Sequence, residues 1–114
     1  MNANPTRLVQ GTLDMLILRT LIFGPAHGHA IAKNIQRTSD DVLQVETGSL
    51  YPALRRLEGQ GWIEARWEHS EQRNRELRFY RLTPEGRKRL ASEQEKWKEL
   101  FRGVSLVMWP ARET

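Results

Sequence analysis

The chain has 114 residues, which is enough for one compact domain with a hydrophobic core but short for two. Its formal net charge of +4 is compatible with an anionic partner, and a charged fraction of 28% argues against a membrane-embedded protein. The absence of cysteine excludes disulfides and thiolate chemistry, and the first residues lack the apolar run of a signal peptide, so we expect a cytoplasmic protein.

Two amphipathic segments come first in chain order. In GTLDMLILRTLIFGP (11–25), apolar residues recur at helical spacing, Thr12 is placed to cap the helix, and a Gly-Pro pair is placed to end it. In HGHAIAKNIQRTSD (27–40), Ile31 and Ile35 share one face and polar residues take the other. These patterns predict a buried first helix and a shorter second helix.

The stretch ETGSLYPALRRLEGQGWI predicts a third helix whose leucines point inward. Its N-cap is either Thr47 or Ser49, and only a start at Ser49 leaves Pro52 within the tolerated first turn. The remaining side carries groups that can hold phosphates and read bases, namely Ser49, Tyr51, Arg55 and Arg56. Taken by itself, this helix is better explained as an ordinary amphipathic surface helix with solvated arginines, so its role depends on the neighbouring elements.

A basic hairpin comes after the third helix. Apolar and polar residues alternate in WIEARWEHSEQRNRELRFYRL (62–82), with a polar connection at 69–76. The tip of this hairpin carries Arg73, Asn74 and Arg75, which suit contact with phosphates. Three helices and a basic hairpin predict a winged helix-turn-helix, whose third helix enters the DNA major groove while the hairpin, or wing, lies along the backbone.

The last segment predicts a long helix that begins after Thr83 as N-cap, with Pro84 at its first position, and can run to Trp109. Such a helix is longer than a small winged domain can cover. An apolar seam at heptad spacing, with one polar position, runs along it: Leu90, Gln94, Trp97, Phe101, Val104 and Met108, widened by Leu100 and Val107. The seam predicts a homodimer; the alternative is a terminal helix folded back on its own domain.

The predicted fold class is therefore mainly α with a small β-hairpin: a winged helix-turn-helix domain over 8–83 and a C-terminal dimerisation helix over 84–109. Such a dimer would bind double-stranded DNA at an inverted repeat with half-sites about one helical turn apart. No catalytic residue, metal site or cofactor is predicted, because His27 and His29 lack cysteines or suitably spaced carboxylates as partners. We expect local polar contacts or solvent exposure for both histidines.

Three stretches together resemble the PadR family of bacterial transcriptional regulators, in its short form with a single C-terminal helix. They are LILRTLIFGPAHGHAIAKNI, GSLYPALRRLEGQGWI and RFYRLTPEGRKRL, and the resemblance spans roughly residues 8 to 101. It implies that Ser49, Tyr51 and Arg55 face DNA. The family often has a tyrosine at the position of His29.

The resemblance further implies wing roles for Arg73 and Arg75, dimerisation through the last helix, and repression that a signal or an apolar ligand relieves. A ligand of this kind would contact Trp97 and its symmetry mate, although Trp97 can equally be plain interface core. A second class of function is a winged-helix module that binds another protein. Such a module would carry apolar anchors on the outward face of 48–60, whereas this face carries serine, tyrosine and arginine.

Overall fold

The computed structural model describes residues 10–111, so the predicted domain start at residue 8 lies outside the described residues. The elements run in the order α1 (Gln10–Thr20), a short 3-10 helix (Leu21–Phe23), β1 (Ala26–His27), α2 (Gly28–Thr38), α3 (Thr47–Gly59), β2 (Ile63–Ser70), β3 (Arg75–Leu82) and α4 (Pro84–Met108). This is a winged helix-turn-helix continued by one long helix. It confirms the predicted fold class.

The sheet has one more strand than the sequence predicted. Strands β2 and β3 form the expected antiparallel hairpin, with Ser70 opposite Arg75 at its tip. Strand β1 pairs with the other edge of β3, with Ala26 opposite Tyr80, so the strand order is β1-β3-β2. A two-residue strand is too short to give an alternating pattern, and its pairing partner lies far along the chain. The prediction of a two-stranded hairpin was therefore incomplete.

One hydrophobic core joins all four helices to the sheet. Leucines at three positions of α3 line its inner side, as their spacing predicted. Burial of these apolar side chains is the main favourable contribution to folding. The buried core consists of Leu13, Ile17, Leu18, Leu21, Ile31, Ile35, Leu50, Ala53, Leu54, Leu57, Ile63, Tyr80 and Leu90.

Two of the predicted helix caps were wrong. Thr12 lies inside α1 and does not cap it. Helix α3 begins at Thr47, its N-cap position is Glu46, and no side chain forms a capping hydrogen bond there. Pro52 consequently lies inside α3, where its missing N–H leaves the carbonyl of Gly48 without a helical partner. Both residues are exposed, so water can satisfy that carbonyl.

The predicted start of α4 was correct, and it is anchored to the hairpin. The hydroxyl of Thr83 accepts a hydrogen bond from the amide of Gly86 at 2.9 Å and donates one to the carbonyl of Gly61 at 2.7 Å. A Cβ atom at Gly86 would overlap the carbonyl of Trp62. The guanidinium of Arg89 lies 4.7 Å from the centre of the Trp62 ring. These contacts attach the first turns of α4 to the winged domain.

Leu90 is a correction to the predicted dimer seam. It is only 2% exposed in a single chain and belongs to the core of the winged domain. The helix leaves the domain farther on, since Trp97 is 41% exposed and Val107 is 78% exposed. The heptad spacing of apolar residues continues along the whole of α4, but the first turns of the helix, with Leu90, pack on their own chain.

Within the described residues, no helix combines the length and hydropathy of a membrane span.

We expect Leu90→Ala to lower the free energy of unfolding by about 2–5 kcal/mol, because it leaves a cavity in the core. Urea titration at several protein concentrations measures this decrease. Leu100→Ala is the matched control, since Leu100 is 63% exposed in the single chain. Any decrease in the control should depend on protein concentration, because it would arise from association. A Leu90→Ala variant as stable as the parent would contradict the assignment of Leu90 to the core.

Candidate nucleic-acid interface

The outward side of α3 carries two exposed polar side chains one helical turn apart. Tyr51 and Arg55 are separated by four residues, so they project from the same side of the helix, away from the buried leucines. No carboxylate within residues 10–111 forms an ion pair with Arg55. Its guanidinium is therefore available to a phosphate or a base edge.

The ring of Tyr51 lies against the first residue of α2. A Cβ atom added at Gly28 would lie 2.8 Å from Cε1 of the tyrosine and 2.9 Å from its hydroxyl oxygen. Glycine at this position therefore allows the ring to pack on the backbone of α2. This contact fixes the direction of the Tyr51 side chain, which is still 41% exposed.

Arg56 does not share the outward side with Arg55, so the prediction that both arginines face outward was wrong for Arg56. Its Nη2 atom donates to Oδ1 of Asp14 in α1 at 2.7 Å, while its Nε atom is buried without a partner. Burial raises the pKa of Asp14, and the hydrogen bond and charge of Arg56 oppose that shift without cancelling it. Arg56 therefore links α3 to α1.

Ser49, the remaining predicted DNA-binding residue of α3, lies exposed in the first turn of the helix.

The wing tip carries its basic side chains on the turn and at the start of β3. Arg73 and Asn74 belong to the turn that connects β2 and β3, where Asn74 has a positive φ of 52°. The amide of Arg73 donates to the hydroxyl of Ser70 at 3.3 Å, which fixes the turn. Arg75 opens β3 and is paired with β2, because both strands extend farther than the predicted polar connection allowed. All three predicted wing residues are exposed.

The wing is tied to α3 by an ion pair. Nη2 of Arg78 in β3 lies 2.7 Å from Oε2 of Glu58 in α3. The same guanidinium lies 5.8 Å from the centre of the Trp67 ring in β2. Because α3 and the hairpin also share the hydrophobic core, these contacts set the distance between the outward side of α3 and the wing arginines.

A cavity of about 310 Å³ lies between α3, the start of α2 and the wing. Tyr51 forms part of one wall, and Arg73, Arg75 and Trp67 come from the wing. His27 and His29 also line it, although no sequence pattern predicted a position beside the wing for either histidine. The pairing of β1 with β3 brings them there. The cavity therefore joins predicted residues from both candidate contact elements with two histidines that the prediction missed.

His27 has a structural role in this cavity. Its Nδ1 atom accepts a hydrogen bond from the amide of Ala30 at 3.2 Å and so caps α2. Burial lowers the pKa of His27, and the charge of Arg73 and the neighbouring His29 lower it further. The predicted local polar contact is thus confirmed for His27.

The described part of the chain holds no group of three His, Cys, Asp or Glu side chains that could bind a metal ion.

The far half of α4 presents a second surface, which is apolar. Trp97 and Phe101 stack with ring centres 5.1 Å apart and planes 11° apart. A shallow depression runs beside them along the helix, and its apolar lining includes Leu100, Val104 and Val107. Met108 is also exposed, and no other part of the described chain covers these side chains.

Comparison with a family model gives a match that covers most of the chain. The model of the PadR-like family of transcriptional regulators matches residues 17–92, from the middle of α1 into α4. Among curated proteins, an uncharacterized protein of Lysinibacillus sphaericus is 27% identical over 101 residues, which are 89% of this chain and 92% of that protein.

Solved structures give the same result. A transcriptional regulator from Clostridium thermocellum is 32% identical, with a TM-score of 0.76 over 84% of this chain and 92% of that chain. A PadR family transcriptional regulator from Eggerthella lenta is 34% identical, with a TM-score of 0.72 over 88% of this chain and 84% of that chain. In both comparisons, the similarity therefore covers most of this chain and most of the regulator.

Proposed function

The chain belongs to the PadR-like family of transcriptional regulators, which are DNA-binding proteins and not enzymes, and from this we propose that it is a homodimeric repressor of an inverted-repeat operator. The observation that carries the DNA-binding part of the proposal is the common cavity of Tyr51, Arg73 and Arg75. It places the exposed side of α3 and the wing at one continuous surface. A winged helix-turn-helix binds DNA with these two elements.

In the proposed complex, α3 enters the major groove. Ser49, Tyr51 and Arg55 contact the DNA there, and Arg55 has the fork of donors that reads a guanine edge. Arg56 is left out of this set because Asp14 already binds its guanidinium. The proposed reading surface therefore consists of residues on the outward side and in the first turn of α3.

The wing binds the phosphate backbone in this proposal. Arg73, Asn74 and Arg75 are exposed, and neither arginine forms an ion pair with any residue in the described range. Arg73 and Asn74 lie in a turn, which suits contacts to phosphates better than bidentate contacts to bases. Wing contacts would add affinity without adding much sequence preference.

We propose residues 84–109 as the dimerisation segment, with the contacts made by its far half. The exposed side chains that would meet the second protomer are Trp97, Leu100, Phe101, Val104 and Met108. A continuous apolar face on a projecting helix is typical of an association surface. Leu90 is excluded because its own domain buries it. The dimer would place two α3 helices on one face of DNA.

Release from DNA would result from a change in the angle between the two α4 helices. An apolar ligand beside the stacked rings of Trp97 and Phe101 could produce such a change if it binds only one arrangement of the dimer. The first turns of α4 are fixed to the winged domain through Thr83 and Gly86. A rotation of α4 would therefore move α3 with it.

A salt titration of binding to duplex DNA tests the proposed function. The logarithm of affinity should fall linearly with the logarithm of salt concentration, with a slope near −0.9 for each phosphate contact. A winged-helix module that binds a protein would show no measurable affinity for duplex DNA. That outcome would favour the alternative function.

We expect Arg55→Ala and Tyr51→Phe to weaken operator binding without unfolding the protein. Removal of a base contact by Arg55 should cost about 1–3 kcal/mol per half-site, and removal of the tyrosine hydroxyl about 1 kcal/mol. Fluorescence anisotropy with a labelled operator measures both, and circular dichroism checks the fold. Arg87→Ala is the control, since Arg87 is an exposed arginine of α4. Unchanged operator affinity in both variants would refute the assignment of this side of α3.

A further inference from the structure

The cavity between α3 and the wing carries an unassigned histidine among positive charges. We propose that this cavity binds a phosphate of the DNA backbone and that His29 is a DNA-binding residue that takes up a proton when the complex forms. The inference rests on the proposed DNA-binding function and adds to it a contact residue and a dependence on pH. No role in DNA binding follows for His29 from its sequence pattern.

The charged groups around His29 favour an anion. Arg73 and Arg75 line the cavity, and their guanidinium groups have no carboxylate partner in residues 10–111. Arg78 lines it as well, but Glu58 binds its guanidinium. Glu76 also lines the cavity and brings one negative charge, and its carboxylate lies 3.7 Å from Nδ1 of His69. On α2 itself, Lys33 comes one turn after His29 and is exposed. Positive charge therefore prevails in the cavity before any histidine is protonated.

The rest of the lining includes two neutral side chains that can form hydrogen bonds. Tyr51 places its hydroxyl beside Gly28, and Tyr80 lies deeper in the wall. A volume of about 310 Å³ is at the lower end of the range for ligand cavities and can admit one phosphate with part of its sugar. A phosphodiester passing between α3 and the wing would meet Arg73, Arg75 and His29 together.

In this proposal, the proton taken up on DNA binding goes to His29 and not to His27. Nδ1 of His27 already accepts the amide of Ala30, so a proton on this atom would break the cap of α2. Burial lowers the pKa of His27, which disfavours its protonated form. The two imidazole planes are nearly parallel, with centres 6.4 Å apart, so charge on both rings would be unfavourable. His29 is exposed, and a phosphate beside it favours the charged imidazole.

The chain is well suited to a test of this inference. It has three histidines and no cysteine, and histidine is the side chain whose ordinary titration falls between pH 5 and 8. If the complex holds more protons than its free components, affinity rises as the pH falls. His27 affects folding in the opposite direction: because its pKa is lowered in the folded state, its contribution to stability decreases as the pH falls through the ordinary histidine range. Tighter binding at acidic pH is therefore not an effect of His27 on folding.

The experiment measures the dissociation constant for one duplex between pH 8 and pH 6, at constant ionic strength in a chloride buffer without phosphate. Each proton taken up should increase affinity by up to tenfold per pH unit, so a dimer with two wings can gain up to about 100-fold per unit. His29→Gln should lose the increase, so that its affinity changes little between pH 8 and pH 6. His29→Lys should bind at pH 8 about as tightly as the parent binds at pH 6. His69→Gln is the matched control and should retain the full pH dependence.

Three results would overturn the inference while leaving the proposed function intact. They are DNA binding without pH dependence in the parent, an undiminished pH dependence in His29→Gln, and loss of the pH dependence in His69→Gln instead. The last result would locate the titrating group on β2 and outside the cavity. A parent protein with no affinity for duplex DNA at any pH would instead refute the proposed function.

Discussion

Replacing Phe101 and Val104 together with glutamate should convert the proposed dimer to a monomer and reduce operator affinity by at least 100-fold. Both side chains are about half exposed in the single chain and lie on the apolar side of α4. A dimer interface would bury the new carboxylates without partners, at a cost of several kcal/mol for each. A monomer would also lose the gain of about 10²–10⁴ that comes from binding two half-sites at once. Light scattering gives the mass, and anisotropy gives the affinity.

A matched variant adds the same charge to the other side of the helix. Ser92 and Leu106 are exposed and lie about half a turn away from the Phe101 side of α4. The double variant Ser92→Glu and Leu106→Glu should therefore remain dimeric and bind the operator as the parent does. An unchanged mass for the Phe101→Glu and Val104→Glu variant would place the dimer contact elsewhere.

Replacing both Arg73 and Arg75 with alanine should weaken DNA binding on the order of 1000-fold at physiological salt, if both wings of the dimer make all four phosphate contacts. The slope of log affinity against log salt should fall in magnitude by about 0.9 for each phosphate that the variant no longer neutralises. The ratio of operator affinity to random-DNA affinity should stay nearly the same, because phosphate contacts carry no sequence information. Anisotropy titrations on matched duplexes measure both quantities.

The double variant Arg87→Ala and Lys88→Ala is the control for net charge, since both residues are exposed on α4. It should leave the salt slope close to that of the parent. Removal of the wing arginines could instead lower the ratio of operator affinity to random-DNA affinity sharply and leave the slope of log affinity against log salt unchanged. In that case the wing recognises sequence through bases or minor-groove shape. The roles assigned to α3 and the wing would then have to be exchanged.

Local patterns were sufficient to predict much of this fold. The spacing of Leu50, Leu54 and Leu57 identified the inner side of α3, and alternation identified the wing strands. Thr83 and Pro84 identified the start of α4 because the capping interaction involves neighbouring residues only. In each case the signal and the structure it predicts lie within a few residues of each other.

Apart from the N-caps of α1 and α3, the errors concern contacts between distant parts of the chain. Arg55 and Arg56 are adjacent and chemically identical, and only the position of Asp14 in α1 makes Arg56 a structural residue. Leu90 continues the heptad of α4, but periodicity cannot tell whether its own domain or a second chain covers it. The position of His29 beside the wing depends on the pairing of β1 with β3, which a two-residue strand does not reveal.

Selection of binding sites from a library of random duplexes, combined with footprinting of the enriched sequences, is the most direct test of the central claim. A dimer with one α3 in each of two successive major grooves should select an inverted repeat. Its half-site centres should lie about 10–10.5 base pairs or a multiple apart, and the dimer should protect both half-sites. Enriched sequences without twofold symmetry, or no enrichment at all, would contradict the proposal that this chain recognises DNA as a symmetric dimer.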